Sequence, residues 1–397
     1  MTAPRAATEW NAPATRTPSV PITAVTTMTP AIRTGRSCFD RSRLPRDEYA
    51  RRMRQVETLA RAEDLAAVVV VANAATPAPV VHLANLAPTA GDATIVVVPG
   101  AGAVLMAGRG GQREEPYQRD VTWIPTLLQR PFGPESVRQV LAGRGVLSGR
   151  LGIAGLEDQV AVRVRDRFVE ELRDYEMVPV DRALAALRRC LSVRERSVLG
   201  ELDAMLQDAL EEGAVVFREA GVPALAALMV EDELYARGCR DVRLLVGWPG
   251  GSVRPLEAVD DRPGTQFACY AAAELLGYWA ERAATVVGAG TRAAEQRCRL
   301  VGVVDDAVMQ LRPGADPEAV ARAAREDEVD VLVRGLGTEL VDLPRPESGW
   351  TELRPGDVVS VLGVERSGGV PALESRTAVV GAGGPAHLDE LVIGGRG

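Results

Sequence analysis

The sequence predicts two domains, an α/β lead domain followed by an α+β domain, and three observations carry that expectation. The chain has 397 residues of which 46% are hydrophobic, enough for two buried cores at about 150 residues per domain. Between Arg46 and Val180, strand-like runs alternate with helical ones. From Ser192 onward, long amphipathic helices are interleaved with paired strand runs.

In the lead domain, apolar spacing predicts a helix over Arg46–Glu63 and strands at Leu65–Ala72, Ala93–Gly100 and Ala103–Gly108. The last two read as a hairpin across Gly100-Ala101-Gly102. A short strand is expected at VTWIP near Val121, a helix from Pro134 closed by Gly, and a strand at Leu151. A helix over Val160–Tyr175 and a strand at Met177–Val180 follow. Strands this apolar belong to a sheet covered on both faces. In the second domain, Ser192–Glu219 is a long helix, with Ser192 and Glu195 spaced as a capping box. Another helix covers Pro223–Arg237. The runs LLVGW, TQFACYAAAEL and GYWAERAATVVG read as strands. Helices at Thr291–Leu311 and Asp316–Glu326 precede three more strand-like runs, VDVLVRGLGTELV, DVVSVLGV and VPALESRTAVV. Residues 1–40, rich in Ala, Thr and Pro, are expected to be a disordered tail. The lead domain then takes 41–180, the second domain 181–385, and 386–397 a flexible end.

Composition removes much chemistry. The chain has 46 basic and 54 acidic residues, a net charge of -8. That balance argues against nucleic acid or an anionic membrane as the partner. No Lys is present, which excludes a catalytic lysine or Schiff base. The two histidines, His82 and His387, are too few for an imidazole-built zinc site. Five scattered cysteines without a CxxC read as reduced thiols in a cytoplasmic protein. No apolar run is long enough for a membrane span.

Several segments together carry a resemblance: the opening RLPRDEYARRM, then VVVVA, HLANL and TIVVVPG, and later RCLSVRERSVL, PGTQFACY, GYWAERAATVVG, VRGLGTELVDLP, LRPGDVVSV and ALESRTAVV. In this order and spacing the chain resembles the creatinase/aminopeptidase P/methionine aminopeptidase family. The resemblance runs from about Arg43 to Val380. It implies a creatinase-like N-terminal α/β domain plus a C-terminal α+β pita-bread domain, and a homodimer in which the lead domain closes over the partner's site.

The resemblance also implies a site of two metals held by two Asp, one His and two Glu. Carried over, these positions fall on Tyr270, Glu281, Arg334, Leu362 and Glu374. A substrate-side His falls near Val253 or Arg254, and another on Val341. Dications need several anionic or imidazole donors, so no metal and no other cofactor is expected. Arg334 is instead expected to bridge Glu281 and Glu374 by forked hydrogen bonds. Alternation places Tyr270 on the pocket face as a donor or acid, with Cys269 facing the core. Trp248, Arg254, Tyr278 and His82 are candidate substrate-binding residues, each with a purely structural alternative. Two functions stay open. One is a metal-independent enzyme acting on a small polar, amino-acid-like or amide substrate, with C–N bond chemistry in specialised metabolism. The other is an inactive pseudo-peptidase that binds a protein or small ligand.

Overall fold

A computed structural model describes residues 42–388 except 75, 89–91, 108–118, 120, 129–132, 158–159, 289–290, 327, 340–351 and 368, and except the side chain of 387. The expected N-terminal tail and residues 389–397 lie outside the described residues, as does Val341. Among the described residues no helix is long and apolar enough to cross a membrane.

The lead domain is built on one mixed sheet. Its helices are α1 (Arg46–Ala62), α2 (Ala78–Ala84), α3 (Pro134–Gly143) and α4 (Val162–Glu171). Its strands are β1 (Ala67–Asn73), β2 (Asp92–Val98), β3 (Gly102–Ala107), β4 (Thr126–Leu128), β5 (Gly149–Ala154) and β6 (Tyr175–Pro179). The strand order is β4-β3-β2-β1-β5-β6. β1 pairs antiparallel with β2 and parallel with β5. Both faces are covered, as the Val-rich strands require: Val68, Val70 and Ile95 pack on the side of α1 and α2, Val69, Val71 and Val96 on the side of α3 and α4. Two local expectations are corrected. The strand expected at Val121 forms instead at Thr126–Leu128, beside β3. The segment around His82 is the short helix α2, with Pro in its first turn and Asn85 closing it in a left-handed conformation.

A linking helix α5 (Asp181–Arg189) leads into α6 (Val193–Ala220), the longest in the chain. The capping box forms: the Ser192 side chain accepts from Glu195 N at 3.2 Å, and Glu195 Oε2 accepts from Ser192 N at 2.6 Å. Gly221, at φ 68, closes the helix in the region that favours glycine. Helix α7 (Pro223–Ala236) follows.

Two antiparallel four-stranded sheets complete the chain. The first has the order β10-β9-β7-β8, from β7 (Asp241–Trp248), β8 (Ser252–Pro255), β9 (Gln266–Leu275) and β10 (Tyr278–Val287). The second runs β11-β12-β13-β14, from β11 (Val329–Gly335), β12 (Val358–Glu365), β13 (Ala372–Gly381) and β14 (Gly384–His387). Strand β14 corrects the expected flexible end, because it pairs His387 with Ala378 and the following Leu388 is buried.

Helices α6 and α7 cover the outer face of the first sheet, packing Leu199, Leu202, Leu206 and Val230 on Phe267, Cys269, Ala271 and Ala280. Helices α8 (Arg292–Met309) and α9 (Pro317–Ala324) cover the second, with Leu300 and Val304 against Val359, Val361, Ala372 and Ala378. The sheets meet between β10 and β13. There Thr285 Oγ1 donates to Leu373 O at 2.8 Å, and Ser375 Oγ accepts from Ala283 N at 2.7 Å. Both sheets therefore turn one face inward, and a small separate cluster fills the space between: Tyr270, Ala272, Trp279, Ala283, Leu362 and Leu373.

Candidate functional site

The inner face is set by strand alternation. In the β9–β10 register Tyr270 lies opposite Ala283, and Ala272 opposite Glu281, so Tyr270 and Glu281 point the same way. Cys269 points the other way, into the α6 core. Burial pushes its thiol up to about 12, which leaves it a thiol and no nucleophile at neutral pH. Arg334 reaches the site from β11, where it lies opposite Ser360 of β12.

Three side chains close on one another. Arg334 Nε donates to Glu281 Oε1 at 2.7 Å, and Nη2 donates to Glu281 Oε2. Tyr270 Oη donates to Glu281 Oε2 at 2.6 Å and accepts from Arg334 Nη2 at 3.1 Å. Glu281 is inaccessible, its side chain 1% exposed, whereas that of Arg334 is 21% exposed. Burial and the Glu281 charge hold the Tyr270 phenol well above its ordinary pKa, so it stays protonated and can donate but not abstract. Burial works to lower the pKa of Arg334, but the hydrogen bond and charge of Glu281 outweigh it and raise it. Arg334 Nη1 has no hydrogen-bond partner among the described residues.

Glu374 does not join this group. It shares the β13 face of Ala372 and Ala378, which pack on α8. There Arg376 Nη1 donates to Glu374 Oε1, Arg297 Nε lies 3.8 Å from Glu374 Oε2, and Arg376 pairs with Asp305 of α8 at 3.0 Å. No ion pair joins Arg334 to Glu374, so the expected double bridge is half realised. The inward residue of β13 is Ser375, opposite Leu362. Sequence reasoning missed it because Glu374 and Ser375 are adjacent, and β13 is buried on both faces from Ala372 to Ser375.

Those positions decide whether a metal fits. Around Arg334 the inner face offers Glu281, already forked by that guanidinium, together with a phenol, a serine hydroxyl and the apolar Leu362. Glu274, of the same β9 parity and opposite Trp279, is itself paired with Arg240. No group of three or more His, Cys, Asp or Glu that could hold a metal exists among the described residues. The two-metal donor set implied by the resemblance is not met by these residues.

The remaining candidates lie elsewhere. Trp248 packs against the α6–α7 core, with the Arg254 guanidinium 5.0 Å from its ring centre. Arg254 lies opposite Val246 on that same outer face. Neither is on the Tyr270 face. Tyr278, three residues before Glu281 and of opposite parity, also faces outward, where it accepts from Arg52 Nη2 at 2.6 Å and donates to Glu195 Oε1 at 2.8 Å. His82 is buried in this joint between the domains, its Nδ1 3.8 Å from Glu195 Oε1. Conversely, Arg243 was not anticipated, and Trp279, which the sequence favoured as packing over binding, lies on the inner face. Arg243 lies opposite Ala272, and its guanidinium is 4.7 Å from the centre of the Trp279 ring. Its charge also acts on Tyr270. Its signal was available: Arg243 shares the parity of Leu245, which lies opposite Tyr270.

No protein-family model and no curated protein sequence matches the chain. Solved structures do. The prolidase from Pyrococcus horikoshii OT3 superposes with a TM-score of 0.70 at 14% identity, over 85% of this chain and 97% of that one. The Xaa-Pro dipeptidase from Bacillus anthracis gives 0.68 at 15% identity, over 86% and 97%. The X-Pro aminopeptidase from Thermotoga maritima MSB8 gives 0.67 at 14% identity, over 81% and 94%. Across nearly the whole length of those enzymes, this chain carries the two-domain pita-bread fold of the prolidases and Xaa-Pro aminopeptidases.

Proposed function

We propose that this chain is a non-hydrolytic relative of the peptidases that share its fold, and that it binds a small carboxylate-bearing ligand at the mouth of the inner face. One observation carries the reading. The Arg334 guanidinium is forked onto Glu281 with two nitrogens, while its third is unpartnered among the described residues on a side chain 21% exposed. A guanidinium edge in that position is a bidentate or end-on receptor for a carboxylate. Arg243, exposed, stacked on Trp279 and 3.6 Å from the Asp241 carboxylate, adds a second guanidinium and an apolar wall. Hydrolysis lacks a base here. Both oxygens of Glu281 are engaged, the Tyr270 phenol keeps its proton, and the donor set does not suit the pair of dications that the resemblance implies.

The enzymatic reading keeps one supporting observation: Tyr270 and Arg334 place a protonated hydroxyl and a guanidinium side by side, donors that could hold a developing oxyanion. Isothermal titration and turnover assays separate the two. The expected result is binding of free amino acids and Xaa-Pro dipeptides but not of their C-terminal amides, weakened at least tenfold by Arg243→Gln, with no dipeptide hydrolysis after incubation with manganese or cobalt. Equal binding of acid and amide, or steady hydrolysis, overturns the proposal. A two-fold homodimer is part of the proposal on the strength of the resemblance, and light scattering that gives a monomer mass counts against it.

A further inference from the structure

Away from the inner face, α1, α2 and α5 line a small cleft with room for about one water-sized group, bounded by Arg52, His82, Arg188 and the apolar Val56, Pro79, Leu83, Leu184 and Leu187. No carboxylate lines it. The acidic partners stand behind the wall. Glu48 and Glu195 hold Arg51 and Arg52, and Glu339 accepts from Arg188 Nη2 at 2.7 Å. Two buried nitrogens on the lining residues have no hydrogen-bond partner, Arg188 Nε and His82 Nδ1. Orphaned donors of this kind are rare in native proteins and mark a missing partner.

We infer that this cleft is a binding site for a small monovalent anion, a halide or a one- or two-carbon carboxylate, taken up together with a proton on His82. The charges around the cleft support the stoichiometry. Arg51, Arg52 and Arg188 are balanced by Glu48, Glu195 and Glu339, so a neutral His82 leaves the cluster neutral. Glu195, whose Oε1 lies 3.8 Å from His82 Nδ1, is already counted in that balance, and the hydroxyls of Tyr49 and Tyr278, which stand against Arg52, stay protonated because burial raises both. A proton on His82 adds one positive charge, and one anion restores neutrality. Without the anion, burial and the charges of Arg52, Arg188 and Arg51 hold the His82 pKa well below its ordinary value. An anion in the cleft favours the protonated form, so binding takes up a proton and affinity rises as pH falls. The apolar remainder of the lining and the small volume exclude large or polyvalent anions.

The site sits where the domains meet. Arg52 also donates to His82 O at 2.8 Å and to Tyr278 at the start of β10, so an occupant ties α1, α2 and α5 to the pita-bread domain. Thermal unfolding of the full chain tests this with sodium chloride, sodium formate and sodium gluconate at matched ionic strength. The expected result is a transition temperature that rises with chloride, with formate or with both, and not with gluconate. The apparent affinity should strengthen by up to about tenfold per pH unit as pH falls from about 8 to about 6. A response to chloride alone identifies a halide site; a response to formate alone identifies a carboxylate site. Arg188→Leu should abolish the response. Glu339→Gln, which frees the Arg188 guanidinium without removing it, should keep or strengthen it. Arg243→Gln should leave it unchanged, which separates this site from the inner face. His82→Gln should flatten the pH dependence. Equal shifts in chloride and gluconate, or an undiminished response in Arg188→Leu, overturn the inference.

Discussion

Removing the Arg334 guanidinium is the sharpest test of the inner site. In Arg334→Met, Glu281 loses two charge-assisted hydrogen bonds and its only ion-pair partner, while its side chain remains 1% exposed. Two unit charges about 4 Å apart attract by about 4 kcal/mol at an effective dielectric near 20. Breaking a buried pair from one side costs about 3–5 kcal/mol, because the orphaned charge stays desolvated. The loss should depend on pH in a defined sense. In the variant the stranded charge is what destabilises, so the deficit is full at about pH 8, where carboxylates are ionised, and is relieved in acid, where they are protonated. Urea unfolding followed by tryptophan fluorescence is the assay, with Trp279 of the inner cluster among the reporters. Adding Glu281→Gln to Arg334→Met should recover about 2 kcal/mol or more by removing the stranded charge. A loss below about 1 kcal/mol at pH near 8, the worth of an exposed pair, would refute the reasoning. So would a double variant no more stable than the single one.

Three further outcomes are expected. Glu374→Gln should leave ligand binding at the inner face unchanged in calorimetric titration, because Glu374 faces α8 and pairs with Arg376. Tyr270→Phe should cost about 1–2 kcal/mol in unfolding free energy, the worth of one buried hydrogen bond to a charged acceptor, since it removes the 2.6 Å donation to Glu281. Thiol labelling of the native protein followed by peptide mass mapping should modify the exposed Cys190 and Cys298 and spare the buried Cys239 and Cys269.

How far the sequence reaches depends on which physical signal fixes a feature. Helix α6 was legible to its first residue because Ser192 and Glu195 form a local capping box, and no tertiary contact is needed to choose its start. Tyr270 and Glu281 were legible because the resemblance places two ligand positions on them, eleven residues apart, and the β9–β10 register holds both on one face. Glu374 was not. A strand buried on both faces has no polar alternation to fix its parity, and a one-residue choice sends every side chain to the opposite side. The same parity question misplaced Trp248, Arg254 and Tyr278, all on the outer face. For His82, Pro in the first turn and Asn85 at the end define a seven-residue helix that buries the imidazole. The joint network of Arg52, Glu195 and Tyr278 links positions 143 and 226 residues from Arg52. Such contacts leave no local pattern in a sequence.

The charge balance of the inner face explains why a single reversion should not restore a metal centre. The carboxylate of the Tyr270 group, Glu281, meets one guanidinium, Arg334, while Glu274 is neutralised by Arg240 and Glu374 by Arg376. A dication added to this arrangement would sit beside a cation, among Tyr270, Trp279 and Leu362, each less than a tenth exposed. An uncompensated charge in such surroundings is expelled or neutralised. Arg334→His removes the competing cation but supplies one neutral donor, and Leu362 and Ser375 still present no carboxylate. Equilibrium dialysis against manganese should therefore find no stoichiometric binding to Arg334→His. Adding Tyr270→Asp, Leu362→Glu and Ser375→Glu to that variant turns three more inward positions into acidic donors, and this combined variant should bind. Binding by Arg334→His alone would mean that the inner face holds a donor set other than the one its register provides.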